Sequence, residues 1–200
     1  MKYQAADGEG EVLPNRLGLT ERAAVEQAET QGFLLAEQEL LEELREDQVF
    51  DAAYLQELHR RALGEVYEFA GRYRSVNMSK GGFTFPAALH LPQSMAAFER
   101  EMLLPLPHAW PTTADLVRDV ARVHAELLFI HPFREGNGRT ARVLANLMAY
   151  KNGSTSFQWE KLAEPEQFAL YVRAVQAAGR QVDYGPMEAV IRSVLPSELA

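Results

Sequence analysis

The chain has 200 residues, of which 47% are hydrophobic and 24% charged, the proportions of an ordinary soluble globule with a sizeable core. Its formal net charge of -8 argues against a broad phosphate-binding surface, and hence against a nucleic-acid-binding module. The lack of cysteine excludes disulfides, thiolate metal sites and cysteine nucleophiles. No apolar segment suits a signal peptide or a membrane span, so we expect a cytoplasmic protein without a membrane partner. Delivery out of the cell by a non-classical route would leave no such signal.

The first sixteen residues are polar and glycine-rich, and we expect residues 1–16 to form a loose N-terminal arm. Residues 17–195 contain no internal repeat, low-complexity tract or linker, which predicts a single domain. Capping and periodicity signals along this range predict a mainly α fold of about seven or eight helices.

The first predicted helix begins at a cap formed by Thr20 and Glu21 and ends near residue 44. Gly32 is expected to bend or divide it. The apolar stripe is assigned to three leucines, Leu34, Leu41 and Leu44. An acidic run is expected to form a solvated face and consists of Glu37, Glu39, Glu42, Glu43 and Glu46.

Asp51 caps the second predicted helix, which ends near Gly64. Its apolar positions are Leu55, Leu58 and Leu63. His59 lies next to this stripe and has no second metal-binding residue one turn away. It is therefore interpreted as a packed or half-exposed histidine rather than a metal ligand.

The pattern changes between Gly71 and Pro92, where aromatic residues alternate with glycine and proline and helical periodicity is lost. This segment predicts an extended loop or a small β-hairpin. Gly81 and Gly82 beside Lys80 would let the backbone approach a ligand closely. Taken alone, the segment is more simply explained as a connector.

A short helix is predicted from Leu91 to Leu104, and Thr112 or Thr113 caps the strongest helix in the sequence. Its buried positions recur at helical spacing and are Leu116, Val120, Val123, Leu127 and Ile130. His124 lies on or near this face. We interpret it as a core histidine with satisfied hydrogen bonds in preference to a catalytic one.

Pro132 ends that helix, because its ring and missing N–H disfavour continuation. A new helix is predicted after Gly138 and ends at Asn152-Gly153. Another begins at Pro165 and ends at Gly179. The last helix begins at Pro186, with four inward residues, Met187, Val190, Ile191 and Val194.

Between the two buried helices, residues 131–142 read His-Pro-Phe-Arg-Glu-Gly-Asn-Gly-Arg-Thr-Ala-Arg. The glycines around Asn137 allow a tight turn and leave amide N–H groups open at the start of a helix. Such a turn binds anions, usually phosphate. Arg139 and Arg142 are three residues apart and project from one face, where two guanidiniums suit the phosphates of a di- or triphosphate.

Glu135 is a hard oxygen ligand beside this turn and suits Mg²⁺ that bridges the phosphates. His131, with an ordinary pKa of about 6.5, can accept a proton from an attacking hydroxyl at neutral pH. The combination predicts phosphate-ester chemistry on a Mg²⁺-nucleotide with one general base.

Each of these features has a simpler explanation. His131 and Glu135 have the spacing of a helical metal pair, but Pro132 makes that segment non-helical. The arginines could pair with surface carboxylates, and the whole segment could be a structural corner between helices. Their occurrence together within twelve residues favours the functional interpretation.

The same twelve residues resemble the signature of the Fic family, His-Pro-Phe-x-Asp/Glu-Gly-Asn-Gly-Arg-x-x-Arg, and match it at every defined position. The resemblance extends by pattern over about residues 17–195, including a flap-like segment, residues 71–86. It implies a Fic-type helical bundle with a small β-hairpin flap. It also implies transfer of AMP from ATP to a Ser, Thr or Tyr hydroxyl of a target protein, with release of pyrophosphate.

The resemblance assigns a role to each matching residue. His131 would be the catalytic base that deprotonates the target hydroxyl, and Glu135 would hold Mg²⁺. Asn137 and the amides of Gly136 and Gly138 would bind the α-phosphate region.

Arg139 and Arg142 would hold the β- and γ-phosphates, and Phe133 would anchor the loop in the core. The flap would lie over the nucleotide and pair with the main chain of the target. The flap residues assigned to the nucleotide are Lys80 and Gly81.

Many members of the family carry an inhibitory Ser/Thr-x-x-x-Glu-Gly/Asn helix whose glutamate pairs with the second motif arginine. Residues 5–10 contain Glu9-Gly10 but begin with Ala5, and residues 156–161 contain Glu160 followed by Lys161. Neither is a complete match. We therefore expect no built-in inhibitor, and restraint by a small separate antitoxin or none at all.

Three other functions remain open from the sequence. Two are enzymatic: a related transferase that uses another nucleotide or phosphate donor, or the removal of AMP from a modified target. The third is a catalytically idle nucleotide-binding or interaction module. The intact Gly-Asn-Gly-Arg segment favours AMP transfer, and His131 would be unnecessary for binding alone.

Overall fold

The computed structural model of the protein describes residues 4–5, 12–80 and 83–196. Within them the chain forms seven α-helices and one three-stranded sheet, so the predicted mainly α fold with a small hairpin is confirmed. The helices are α1 Arg22–Glu42, α2 Ala52–Leu63, α3 Leu91–Phe98, α4 Thr113–Ile130, α5 Asn137–Lys151, α6 Pro165–Gln181 and α7 Gly185–Ser193. The strands are β1 Gln4–Ala5, β2 Met78–Lys80 and β3 Phe83–Thr84.

Helix α4 lies at the centre of the bundle and packs against α3, α5, α6 and α7. The hydroxyl of Thr112 caps it by accepting a hydrogen bond from the Asp115 N–H at 3.1 Å. All five positions of its predicted apolar stripe are buried, which confirms the stripe. The four inward residues predicted for α7 are buried as well.

The predicted details of α1 are wrong in two respects. Its N-cap is Glu21, without a side-chain cap hydrogen bond, so Thr20 does not cap the helix. Leu34 and Leu41 are 59% and 38% exposed. The buried stripe is displaced from the leucines and consists of Val25, Glu29, Phe33, Ala36 and Leu40. It escaped prediction because a glutamate occupies its middle.

The acidic run of α1 is solvated as predicted, with one exception. Glu37 is half-buried and accepts a hydrogen bond from the Asn146 amide at 2.7 Å. Burial raises the pKa of Glu37, and the Asn146 hydrogen bond opposes this effect. Glu43 instead lies on the surface and pairs with Arg61 at 2.9 Å. These contacts tie α1 to both α2 and α5.

Two glycines serve close helix packing and do not interrupt a helix. Helix α1 runs unbroken through Gly32, where a Cβ would lie 2.0 Å from the Ala62 carbonyl oxygen of α2. Helix α6 continues past Gly179, where a Cβ would lie 1.9 Å from the Phe129 ring of α4. The predicted bend at Gly32 and the predicted end at Gly179 are therefore both wrong. Glycine occupies these positions because a side chain would collide with the neighbouring helix.

The flap contains the antiparallel hairpin of β2 and β3, in which Ser79 is opposite Thr84. Gly81 and Gly82, which follow β2 in the sequence, lie outside the described residues. The other edge of β2 pairs antiparallel with β1, with Gln4 opposite Ser79. The arm expected to be loose thus contributes a strand, whereas residues 1–3 and 6–11 lie outside the described part of the chain.

None of the helices in the described ranges combines the length and apolarity that a membrane crossing requires.

Gly32→Ala should destabilise the protein by about 1–3 kcal/mol, because overpacking against Ala62 outweighs the better helix propensity of alanine. Urea denaturation measures the free energy of unfolding. Gln38→Ala, at an exposed position of the same helix, is the control and should change it by less than about 0.5 kcal/mol. A stabilised Gly32→Ala variant would contradict the close approach of α1 and α2.

Candidate active site

The loop between α4 and α5 reverses the chain at two left-handed residues. His131 ends α4 with φ 54° and ψ 58°, and its N–H donates to the Leu127 carbonyl at 3.0 Å. Gly136 precedes α5 with φ 76°. A Cβ at Gly136 would lie 3.0 Å from side-chain atoms of both Leu63 and Phe33. Only glycine therefore suits this position, on both backbone and packing grounds.

Asn137 is fully buried and holds the loop closed. Its side-chain oxygen accepts from the Phe133 N–H at 2.8 Å, and its amide donates to the Phe133 carbonyl at 2.7 Å. The side chain thereby shapes the turn. Helix α5 begins at this residue, two residues before the predicted start after Gly138.

The first turn of α5 is open to a ligand. Gly136, at its N-cap, supplies no side-chain cap, and a Cβ at Gly138 would meet no atom within 4 Å among the described residues. Amide groups at the start of a helix carry the positive end of its dipole and bind anions. The predicted anion-binding turn therefore has the local geometry that it requires.

His131 is buried and held from two sides. Its Nδ1 lies 3.0 Å from the Leu128 carbonyl, which places the proton on Nδ1 and the lone pair on Nε2. The Phe85 ring of the flap stacks on the imidazole, with centroids 3.9 Å apart. Burial lowers the pKa of His131 to about 3, and the charges of Lys80 and Arg74 act in the same direction. The ring is therefore neutral at pH 7, the form that a base needs.

His59 supports the loop from below. It is fully buried and stacks on Phe133 with ring centroids 3.9 Å apart. The Gly71 N–H donates to its Nδ1 at 2.8 Å, so its Nε2 donates to the Glu135 carbonyl at 2.9 Å. Burial lowers the pKa of His59 to about 4. The prediction of a packed histidine is confirmed.

His124 connects α4 to α5 and α6. It is buried, its Nδ1 lies 3.2 Å from the Ala141 carbonyl, and its Nε2 lies 2.7 Å from the Tyr171 hydroxyl. Burial lowers the pKa of His124 to about 3, and the Arg142 charge contributes. Both ring nitrogens have partners, so the prediction of a core histidine with satisfied hydrogen bonds is confirmed.

Arg142 and His131 line the same cavity, which has a volume of about 370 Å³. The cavity lies between the flap, the start of α5 and one face of α6. Its other lining residues include Lys80, Gly138 and Tyr171. Arg142 Nε is buried and has no hydrogen-bond partner among the described residues, and Arg142 forms no ion pair there. A buried guanidinium N–H of this kind needs an acceptor, which a ligand or an ordered water can supply.

Arg139 is held on the other side of α5, against α1. Its Nη2 lies 2.9 Å from Glu29 Oε2 and 3.3 Å from Glu135 Oε1, and its guanidinium lies 5.0 Å from the Phe33 ring centroid. Glu29 also accepts a hydrogen bond from the Tyr67 hydroxyl. The two motif arginines, predicted to share one face, therefore have different neighbours in the described structure.

Glu135 lies at the mouth of the turn, where its Oε1 accepts from the Gly136 N–H at 2.8 Å. No group of three or more His, Cys, Asp or Glu residues that could hold a metal occurs within the described ranges. A single carboxylate fits Mg²⁺, which commonly binds through one or two carboxylates and takes its remaining ligands from phosphates and water. It does not fit an ion held by protein ligands alone.

Lys80 brings a positive charge from the flap to this cavity. Burial lowers its pKa, and the Arg142 charge contributes, whereas Glu135 opposes the effect. Gly81, also predicted to contact the nucleotide, lies outside the described residues. The structure thus brings together Lys80, His131, Gly138 and Arg142 around one cavity.

Comparison with known proteins gives this arrangement a family. Residues 49–149, half of the chain, match the model of the Fic/DOC family. The chain belongs to the Fic/DOC family. The matched range includes the flap, α4 and the reversal into α5, and the α6 side of the cavity lies beyond it.

Several curated relatives are named protein adenylyltransferases. The Fic domain described here is 38% identical over 98 residues to protein adenylyltransferase Fic of Nematostella vectensis, which covers 48% of this chain and 22% of that protein. It is 29% identical over 161 residues to protein adenylyltransferase VbhT of Bartonella schoenbuchensis, which covers 80% of this chain and 33% of that one. The chain spans between a fifth and a third of the length of these two relatives.

Solved structures share the fold. The N-terminal FIC domain of Bep8 from Bartonella sp. 1-1C superposes with a TM-score of 0.75 at 19% identity, over 97% of this chain and 95% of that one. BepC from Bartonella tribocorum, crystallised with bound AMPPNP, has a TM-score of 0.70 at 20% identity, over 92% of each chain.

Sequence reasoning missed several residues that hold this Fic site. Glu29 had a detectable signal, since it lies at helical spacing between Val25 and Phe33 on an otherwise apolar stripe. Arg74 and Phe85 had none, because their contacts with the His131 loop join segments more than forty residues apart. Tyr171 fell on a predicted helix face, but its hydrogen bond to His124 could not be inferred.

The stability of the protein should fall as the pH falls from about 6.5 to about 4, the interval between the ordinary and the lowered histidine pKa values. His59, His124 and His131 remain neutral when folded but take up a proton when unfolded. Each should therefore contribute about 1.4 kcal/mol per pH unit within this interval. Urea denaturation at a series of pH values measures the slope.

His124→Gln should reduce that slope by about one proton, whereas His108→Gln, at an exposed position, should leave it unchanged. An equal slope in the wild type and His124→Gln would contradict the buried neutral state of His124.

Glu29→Gln should destabilise the protein by about 1–3 kcal/mol, because it keeps the shape of the side chain but removes the charge opposite Arg139. Denaturant unfolding at pH 7.5 measures this change. Glu26→Gln, one turn earlier and half-exposed, is the matched control and should change stability by less than about 0.5 kcal/mol. Equal effects of the two substitutions on the free energy of unfolding would show that the Glu29–Arg139 pair contributes no more to stability than a surface pair does.

Proposed function

We propose that this Fic domain is a protein adenylyltransferase, which transfers AMP from ATP to a Ser, Thr or Tyr hydroxyl of a target protein and releases pyrophosphate. The observation that carries the proposal is the shared cavity, in which the base His131 faces Gly138 and Arg142. A neutral base, open helix amides and an arginine with a buried unsatisfied nitrogen are the components that nucleotidyl transfer requires.

The comparisons support the choice of nucleotide and reaction. Both named relatives are protein adenylyltransferases. One solved neighbour holds AMPPNP, and another, from Bartonella quintana, holds ADP. The cavity of about 370 Å³ has aromatic and aliphatic residues on its flap and α6 sides, which suits a nucleobase at one end and phosphates at the other.

In the proposed reaction, Nε2 of His131 accepts the proton of the target hydroxyl as its oxygen attacks the α-phosphorus of ATP. A new phosphorus–oxygen bond forms, and the bond from the α-phosphorus to the bridging oxygen breaks, so that pyrophosphate leaves. The amide of Gly138 and the backbone of Asn137 would face the α-phosphate. The Gly136 N–H donates to Glu135 in the structure and would join them by exchanging that partner. Arg142 would bind the leaving pyrophosphate by its fork of donors. The negative phosphates would also raise the lowered pKa of His131 and make it a stronger base.

Arg139 has a less direct part in this proposal. In the structure its guanidinium pairs with Glu29 and Glu135, so phosphate binding by Arg139 would compete with those carboxylates. Lys80, at the cavity wall, would add charge to the phosphate region from the flap. Gly81 is proposed as a backbone contact to the nucleotide.

Glu135 would hold Mg²⁺ together with the phosphates. When bound, the ion would supply charge neutralisation between the phosphate groups. Glu135 lies directly beside the anion-binding amides, as that role requires.

We further propose that no built-in inhibitor restrains this enzyme, and that a small separate antitoxin restrains it or nothing does. The exposed Glu160 lies in the short 3₁₀ turn Trp159–Leu162, and the described residues give Arg142 no carboxylate partner. Glu9 lies outside the described residues. Activity of the purified chain alone, unchanged by Glu160→Gly, is the result expected.

A labelling experiment tests the proposal. The purified chain is incubated with Mg²⁺, a cell lysate and ATP labelled at either the α- or the γ-phosphate. Protein should acquire label from the α-position only, and His131→Ala should reduce it by at least about 100-fold. His108→Ala replaces an exposed histidine outside the cavity and serves as the control, with labelling unchanged.

Two results would contradict the proposal. Label from the γ-position would mean transfer of a phosphoryl group. Binding of ATP without any label in protein would mean an idle nucleotide-binding module.

A further inference from the structure

Arg74, which lies ahead of strand β2, is a buried guanidinium whose partners are backbone carbonyls. Its side chain is inside the protein, since the residue is only 4% exposed. Its acceptors are the carbonyl oxygens of His131 at 2.7 Å, Val76 at 2.7 Å, Pro86 at 2.6 Å and Ile130 at 3.4 Å. Its own N–H donates to the Pro132 carbonyl at 2.8 Å.

These acceptors belong to two separate parts of the site. Val76 and Pro86 flank the β2–β3 hairpin and form the base of the flap. Ile130, His131 and Pro132 form the end of α4 and the start of the reversal. One side chain therefore fixes the position of the flap relative to the residue that carries the base.

The hydrogen bond to His131 bears on its conformation. A left-handed backbone costs a residue with a Cβ roughly 1–2 kcal/mol, so it persists only where the surroundings hold it. The Arg74 Nε–H donates to the carbonyl of this left-handed residue, and the Arg74 backbone N–H donates to the next carbonyl. Two consecutive peptide groups are thus held from one side.

Arginine is the residue type that this arrangement needs. Its planar group directs donors to several acceptors in fixed directions, whereas the lysine ammonium has three donors at one point. Burial lowers the pKa of Arg74, because loss of hydration disfavours the charged guanidinium. An uncharged side chain could link the two loops without this unfavourable burial of charge.

We propose that Arg74 is a positioning residue for adenylyl transfer, which aims the His131 ring at the cavity and fixes the flap around it. The inference rests on the proposed function of His131 as the base. The flap also provides Phe85, which stacks on the imidazole at 3.9 Å, so a displaced flap base would release the ring on that face as well. Loss of Arg74 should therefore impair the transfer step and leave nucleotide binding by Gly138 and Arg142 intact.

The experiment uses the full chain with Arg74→Met and Arg74→Lys, and Arg72→Met as the matched control. Arg72 is exposed, and in the described structure its side chain bonds only to the nearby Glu68 carbonyl. Arg74→Met should lower kcat for α-label transfer by about 100-fold. The Kd of AMPPNP should rise by less than about tenfold, because only Lys80 and Gly81 among its proposed contacts lie on the flap. Arg74→Lys keeps the charge without the fork and should also lower kcat, which covers the case in which Arg74→Met does not fold.

Nitrogen NMR of isotope-labelled histidine provides a readout independent of activity. The His131 ring signals should shift in the Arg74 variants but not in Arg72→Met, because the hydrogen bond from Nδ1 to the Leu128 carbonyl depends on ring orientation. The charges that act on the ring are those of Lys80 from β2 and Arg74, and Arg142 from α5 and Tyr171 from α6 line the same cavity. Spectra at one pH, at which the ring is neutral, exclude a change of protonation.

Three results would overturn the inference. The first is a folded Arg74 variant with kcat within about threefold of the wild type. The second is a parallel loss of kcat and AMPPNP affinity, which a general structural defect would cause. The third is unchanged His131 ring signals. If the wild type transfers no label, the proposed function fails, and the NMR comparison still decides whether Arg74 positions His131.

Discussion

The site depends on the closed loop between α4 and α5. Asn137 bonds to both the N–H and the carbonyl of Phe133, which ties the start of α5 to the middle of the loop. The closure fixes His131 at the end of one helix and Gly138 at the start of the next, so a base and an anion-binding helix end meet at one cavity. Neither residue could be moved by one position along its helix without leaving that cavity, because one residue turns a helix by about 100°.

The two motif arginines, Arg139 and Arg142, lie in different environments. Arg142 lies beside Tyr171, with a buried nitrogen that lacks an acceptor in the described residues. Arg139 has two carboxylates within 3.3 Å. Arg142 is available to a phosphate as the structure stands, whereas Arg139 must first leave its carboxylate partners.

Burial raises the pKa of Tyr67, which therefore stays protonated and keeps donating to Glu29. The Glu29 carboxylate thus serves two partners at once.

Local signals predicted the helices and the motif, and non-local contacts account for the errors. The stripe of α4, its Thr112 cap and the inward face of α7 follow from periodicity and capping, which depend on neighbours in sequence. Gly32 and Gly179 were misread because their reason is a close approach of another helix, which no local pattern reveals. The motif made His131 and Arg142 evident. The tautomer of His131 and the hydrogen bonds of Arg74 could be recognised only from the three-dimensional structure.

The pairing of β1 with β2 has a consequence for access to the flap. A strand has two edges, and in β2 one edge bonds to β3 while the other bonds to Gln4–Ala5. An extended segment that added itself to β2 would have to displace these two residues, whose two-residue pairing is short enough to exchange readily. Any sequence joined ahead of Gln4, whether a purification tag or a natural extension, would be delivered to this edge. Attachment of a tag at the other end of the chain would leave the edge as it stands here.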